Sequence, residues 1–125
     1  MNWWKSLRGR ARLNEPLRKH TTFKVGGPAK FFIEPKDYDD LKLLLSILKR
    51  YKIPPLVIGR GSNILASDEG SNCAVLRLNS PYFKKLIAKN NCIEAGGGSL
   101  LNRVVGFAQE HSLSGVEFLA GIPGT

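Results

Sequence analysis

At 125 residues and 13.8 kDa, with 42% hydrophobic residues, the chain has the material for one compact domain that buries roughly two-thirds of its unfolded surface. A charged fraction of 23% excludes a disordered or collagen-like chain, and apolar runs no longer than that over residues 43–48 exclude stable membrane insertion. The formal charge of +9 suits a polyanionic ligand: nucleic acid, anionic lipid, or a phosphorylated substrate or cofactor.

The start is basic, with Trp3, Trp4, Leu7 and Ala11 at near-helical spacing beside Lys5, Arg8 and Arg12. It predicts a short amphipathic helix, weakened by Gly9, whose apolar stripe docks on the protein's own core. It lacks the continuous apolar stretch and small-residue cleavage site of a secretory signal. Because only Trp3 and Trp4 are placed to stack on bases, no nucleic-acid partner is expected.

Residues 30–34 read as a strand ended by Pro35. Asp37 is the expected cap of a helix carrying Asp39 and Asp40 in its first turn, with Leu41, Leu44, Leu45 and Leu48 on one face. Pro54 and Pro55 stop it, and residues 56–58 form a short, all-apolar strand expected at a buried sheet position, completing a strand-helix-strand unit. A short strand and turn are expected over 64–70, and strands over 73–78, 83–88 and 92–95, with Asn90 and Asn91 making a hairpin turn between the last two. Ser99 is the expected cap of a second helix reaching His111, with Leu100, Leu101, Val104, Val105 and Ala108 on its buried side. The fold class is α+β with an open mixed sheet.

Glycine loops hold the candidate chemistry. Gly59-Arg60-Gly61-Ser62-Asn63 follows a strand directly; successive N–H groups in such a turn form an anion nest, to which the Ser62 hydroxyl and Asn63 amide add directed donors. It has neither the Gly-Lys-Ser/Thr of a P-loop nor the third glycine of a Rossmann fingerprint, so a nucleotide here is held by loops between strands. Gly96, Gly97 and Gly98 sit between a strand and a helix, where unpaired N–H groups favour an anion or a flat ring. Gly121-Ile122-Pro123-Gly124 places one fixed dihedral between permissive glycines. Together these loops point to one extended ligand.

Catalytic groups are scarce. His20 and His111 are far apart in sequence, and Asp39, Asp40, Asp68 and Glu69 read as cap and turn residues. Cys73 and Cys92 have no CxxC spacing and read as free thiols of a reducing cytoplasm; no metal site is expected.

Asn14-Glu15-Pro16-Leu17, Thr21-Thr22-Phe23-Lys24-Val25-Gly26-Gly27-Pro28-Ala29, Gly59-Arg60-Gly61-Ser62-Asn63-Ile64-Leu65, and Gly115 through Thr125 resemble, in order and spacing, the amino-terminal part of the UDP-N-acetylenolpyruvoylglucosamine reductase family. The resemblance implies an FAD-binding fold of the p-cresol methylhydroxylase/vanillyl-alcohol oxidase type. It divides the chain into a basic segment over 1–13, a first FAD-binding subdomain over 14–90 and the start of a second over 91–125. FAD and NADPH are the implied cofactors and UDP-N-acetylglucosamine enolpyruvate the implied substrate, reduced to UDP-N-acetylmuramate for peptidoglycan in the cytoplasm by a protein that is a monomer at full length.

By the same resemblance Gly59, Arg60, Gly61, Ser62, Asn63 and Ile64 cradle the FAD pyrophosphate, and Gly121, Ile122, Pro123, Gly124 and Thr125 begin a second FAD-contacting loop. The family's catalytic serine, arginine and glutamate match no position here, so no catalytic residue is assigned. The chain is expected to be the front part of a longer protein, with Leu101 and Val105 left exposed for strands beyond Thr125. A flavin oxidase of the same fold, or a basic nucleic-acid module, are the alternatives from other classes.

Overall fold

The computed structural model describes residues 2–125. Its centre is a four-stranded sheet of β1 (Arg10–Pro16), β2 (Pro28–Glu34), β3 (Pro55–Ile58) and β4 (Ser71–Arg77), in the order β1-β2-β4-β3. β1 runs antiparallel to β2, while β4 is parallel to both β2 and β3. Helix α1 (Tyr38–Arg50) links β2 to β3, so the expected strand-helix-strand unit forms with β4 inserted between its strands. A hairpin of β5 (Leu86–Lys89) and β6 (Cys92–Ala95) and helix α2 (Leu101–Glu110) complete the α+β architecture.

Strand alternation divides the core between the two faces of the sheet. Phe31, Ile33, Ala74 and Leu76 point to one face, where Leu44 and Leu48 of α1 and the buried Trp3 cover them. Phe32, Val75 and Ile58 point to the other, covered by Leu17 and, in part, by Ile64 and Ala66. The second cover is a loop.

Asp37 caps α1 as expected, accepting the Asp40 N–H at 3.0 Å. Asp40 does more than fill the first turn. It is 1% exposed and accepts backbone N–H bonds from Arg8 at 2.8 Å, Gly9 at 2.8 Å and Lys36 at 2.9 Å. Burial pushes its pKa up, but these backbone donors outweigh burial and, with the Arg8 charge, hold the carboxyl below its ordinary value. One carboxylate thus ties the amino-terminal segment to the start of the helix. Gly9 is needed there, since a methyl group on it would overlap the Glu34 carbonyl.

Several expectations are corrected. The amino-terminal helix is a single 3-10 turn, Trp3–Ser6, followed by strand β1, because pairing with β2 offers residues 10–16 a ladder that an isolated basic helix lacks. Its apolar residues do dock on the core: Trp3 is buried and Trp4 packs on Phe31 at 5.8 Å between centroids, so neither tryptophan is free to stack on a base. β3 is an edge strand, with Leu56 43% and Val57 65% exposed, where an apolar run had indicated burial on both faces. Residues 64–67 form no strand, because they are tied to the 17–27 segment instead of a neighbouring strand. The strand expected over 83–88 splits into a 3-10 turn, Pro81–Lys84, and β5. Asn90 and Asn91 do make the hairpin turn, both at positive φ. Val105 and Ala108 of α2 are buried within this chain and Leu101 is half-buried, contrary to the exposure expected of that face.

Candidate functional site

β2, β4 and β3 run parallel, so their carboxyl ends share one edge, the place where an open parallel sheet leaves room for a ligand. Ile58 ends β3 there and Gly59 follows it; Arg77 ends β4 beside them. The chain then makes the hairpin and returns through Gly96, Gly97 and Gly98 to α2. A cavity of about 380 Å³ opens between these segments.

The 96–98 turn is stitched to the preceding chain by Gly96 N–H to the Lys85 carbonyl at 2.9 Å and Gly98 N–H to the Phe83 carbonyl at 2.8 Å. Methyl groups at Gly96 and Gly98 would overlap the Phe83 and Leu78 carbonyls, so those glycines serve the fold, and Gly97 and Gly98 border the cavity. Ser99, expected as a helix cap, makes no cap bond: α2 begins two residues later, and the Leu101 N–H is taken by the Gly124 carbonyl at 3.2 Å. The Ser99 side chain lines the cavity with its hydroxyl buried and, among the described residues, without a hydrogen-bond partner. A buried hydroxyl with nothing to bond is costly unless a ligand supplies the partner.

Charge is as one-sided as the geometry. Arg60, Arg77, Lys84 and Arg103 line the cavity and no aspartate or glutamate side chain does. Arg103 sits in the first turn of α2, where the helix dipole disfavours a cation and no acidic residue offsets it. A bound anion removes that conflict.

The two glycine loops singled out from the sequence meet here. Gly59 lies so close to Thr125 that a methyl group on it would strike the threonine hydroxyl, and one on Gly124 would come within 3.4 Å of the Ser62 hydroxyl. Gly59, Arg60 and Thr125 line the cavity itself. Gly61 turns away: at φ 75° it packs on the backbone of His20 and Thr21. Ile64 packs into the loop-covered face of the core, Asn63 is exposed and Ser62 half-buried. Gly121, Ile122 and Pro123 are exposed beside the site.

Arg77, Lys84, Ser99 and Arg103 were not among the residues singled out for the site. Two signals were available: a charged residue closing an apolar strand at Arg77, and an arginine in a helix's first turn at Arg103.

Comparison with known proteins decides the family. The FAD binding domain family matches residues 29–125. The chain belongs to the FAD-binding domain family. Relatives of this FAD-binding chain include the UDP-N-acetylenolpyruvoylglucosamine reductases of Pelobacter propionicus, 44% identical over 96% of this chain and 40% of that protein, and of Desulforamulus reducens, 40% identical over 95% of this chain and 39% of that protein. The crystal structure of UDP-N-acetylenolpyruvylglucosamine reductase from Thermus caldophilus superposes with a TM-score of 0.68 at 34% identity, covering 94% of this chain and 39% of that one. The α+β fold expected from the resemblance is therefore the one observed. This FAD-binding chain spans about two-fifths of the length of the curated relatives it matches. Among the described residues no helix is long and apolar enough to cross a membrane, and no group of metal-binding side chains is clustered.

Proposed function

We propose that this chain is the FAD-binding part of an NADPH-dependent reductase that converts UDP-N-acetylglucosamine enolpyruvate to UDP-N-acetylmuramate in peptidoglycan synthesis. The names and fold of its relatives support the reaction, and the match to the FAD binding domain supports the cofactor. The observation that carries the assignment to this site is the cavity lined by Arg60, Arg77, Lys84 and Arg103 without an acidic side chain, with Ser99 in its wall. That donor set suits a pyrophosphate.

When bound, FAD supplies the hydride-transfer chemistry of such a reductase. This chain's part is to bind and orient. Gly59, Arg60, Gly61, Ser62, Asn63 and Ile64 form the loop we assign to the pyrophosphate, and Gly121, Ile122, Pro123, Gly124 and Thr125 the second FAD-contacting loop. Arg77, Lys84 and Arg103 neutralise phosphate charge. No residue of the chain is assigned a proton-transfer step; in this reading NADPH and the enolpyruvyl substrate are handled by parts of a longer cytoplasmic protein.

Titration with FAD tests the reading. ADP should displace the flavin and riboflavin should not, because the cations are assigned to phosphates. Arg77→Glu and Arg103→Glu should each weaken FAD by about 10- to 100-fold, the equivalent of losing one charge-assisted hydrogen bond of ~1.5–3 kcal/mol. Displacement by riboflavin alone, or an unchanged affinity in both variants, would remove the phosphate assignment.

A further inference from the structure

Two adjacent parallel strands, β3 and β4, are joined by residues 59–70 without a helix. Ordering such a loop costs backbone entropy at every residue. An anion nest works only if its N–H groups already point at the ligand, so something must hold this connection in shape.

The holding element is the segment over residues 17–27, and it grips the connection at both ends. At the near end, the Thr22 N–H donates to the Gly61 carbonyl at 3.0 Å, and Gly61 lies against the His20 carbonyl with no room for a side chain. At the far end, the Gly27 N–H donates to the Ser67 carbonyl at 2.8 Å, and a methyl group on Gly27 would overlap the Asp68 carbonyl. The gripping segment is itself closed by Leu17 N–H to Gly27 carbonyl at 2.9 Å and by the Thr21 hydroxyl on the Val25 carbonyl at 2.9 Å.

His20 joins this clasp to the sheet. Its ring stacks on Phe32, a fully buried core residue, at 4.1 Å between centroids and 21° between planes. Its Nε2 meets Glu15 Oε1 of β1 at 2.9 Å, and the two side chains are only 11% and 15% exposed. The Glu15 carboxyl is held below its ordinary value, first by this hydrogen bond and then, against burial, by the charges of Lys19 and Arg12. With the carboxylate ionised, Nε2–H is the donor. Arg12 also pairs with Glu34 at 3.5 Å, so the acceptor is itself anchored within the β1–β2 pair.

We propose that His20 is a positioning residue for the pyrophosphate loop: its ring, fixed between Phe32 and Glu15, sets the backbone turn against which Gly61 rests and so pre-forms the 59–64 loop. His20 touches no ligand in this arrangement. The Thr21-Thr22-Phe23-Lys24-Val25-Gly26-Gly27 segment is then a clasp for the ligand loop. The effect on flavin rests on the function proposed above; the effect on the loop does not.

Amide hydrogen exchange on the 125-residue chain without flavin tests the positioning directly. His20→Ala should speed exchange over residues 59–66 at least about 10-fold while leaving residues 74–76, in the middle of β4, unchanged. His20→Gln, which keeps a donor within reach of Glu15, should restore much of the protection. FAD affinity should fall in His20→Ala and recover in His20→Gln. If His20→Ala does not fold, Glu15→Gln, which keeps the size and an acceptor but removes the charge, should show the same local loosening in milder form. Exchange over 59–66 that is unchanged, or that rises no more than over 74–76, overturns the proposal. A wild-type chain that ignores FAD while His20→Ala still loosens the loop would count against the proposed function and leave the positioning role intact.

Discussion

Helix α1 and the connection over residues 59–70 each close one face of the same sheet, and they do so by different physics. The helix buries Leu44 and Leu48 to 0% and 1% exposure, is capped by Asp37, and is tied to the amino-terminal segment through Asp40. Its amphipathic pattern would form much the same cover on any suitable sheet. The connection contributes only the half-buried Ile64 and Ala66, and its shape depends on backbone carbonyls meeting positions that carry no side chain: Gly61 against His20, Gly27 against Asp68. A helix supplies its own backbone hydrogen bonds; this loop borrows them from residues 17–27. The candidate ligand loop is thus also a wall of the core, which couples ligand affinity to stability on that face alone.

The largest expected effect comes from the helix face. Leu48→Ala removes a fully buried side chain and should cost about 2–5 kcal/mol in denaturant unfolding. Once folded, the variant should bind FAD as wild type does, and a matching loss of FAD affinity would erase the distinction between the faces. On the loop face, Gly61→Ala adds a methyl group into the His20 carbonyl at a positive φ, and should cost about 2–4 kcal/mol from overlap and strain together. Here stability and FAD affinity should fall together, read from the same unfolding curve and a flavin titration.

Acid should loosen the helix face through Asp40. Because the Asp40 carboxyl lies below its ordinary value when folded, its contribution is present above the unfolded value of about 3.9 and is lost as pH falls from there through the folded value. Asp40→Asn should lower stability at neutral pH by about 2 kcal/mol, as expected for weakened hydrogen bonds to a buried charge, with the gap to wild type closing below pH ~4. A gap that stays constant to pH 2 would show that the carboxylate charge is not what ties Arg8, Gly9 and Lys36 together. The smallest effect is expected at Gly121, which also has positive φ but faces open space; Gly121→Ala should cost about 1–2 kcal/mol of backbone strain. A loss equal to that at Gly61 would mean that overlap with the His20 turn contributes nothing.

Much of the architecture was legible along the chain, because some elements carry local causes. Asp37 before an apolar stripe, prolines at the end of a helix, and paired asparagines between short strands each state their structure within a few residues. β1 was hard to read: Arg10-Ala11-Arg12-Leu13-Asn14 alternates over only five residues and overlaps the near-helical spacing of Trp3, Trp4, Leu7 and Ala11, and the strand exists because β2 offers it a partner. The edge position of β3 was hidden for the opposite reason, since apolar side chains read the same whether covered or bare. In the site, the glycine loops and their family were visible as motifs, while Arg77, Lys84 and Arg103 lie on separate elements with no common spacing.

The sequence by itself therefore determined the α+β class, helix α1, the hairpin turn, the absence of any run long enough to cross a bilayer, and the glycine loops of an FAD-binding chain. Only the tertiary structure decided which glycines face a cavity and which face the backbone, that four cations surround one cavity with no acidic side chain in its lining, and that His20 stands between the sheet and the ligand loop. The division follows from range. Helix caps, turns and amphipathic stripes are set by neighbours a few residues apart, whereas a cavity and its charge are sums over segments that meet only when the chain is folded.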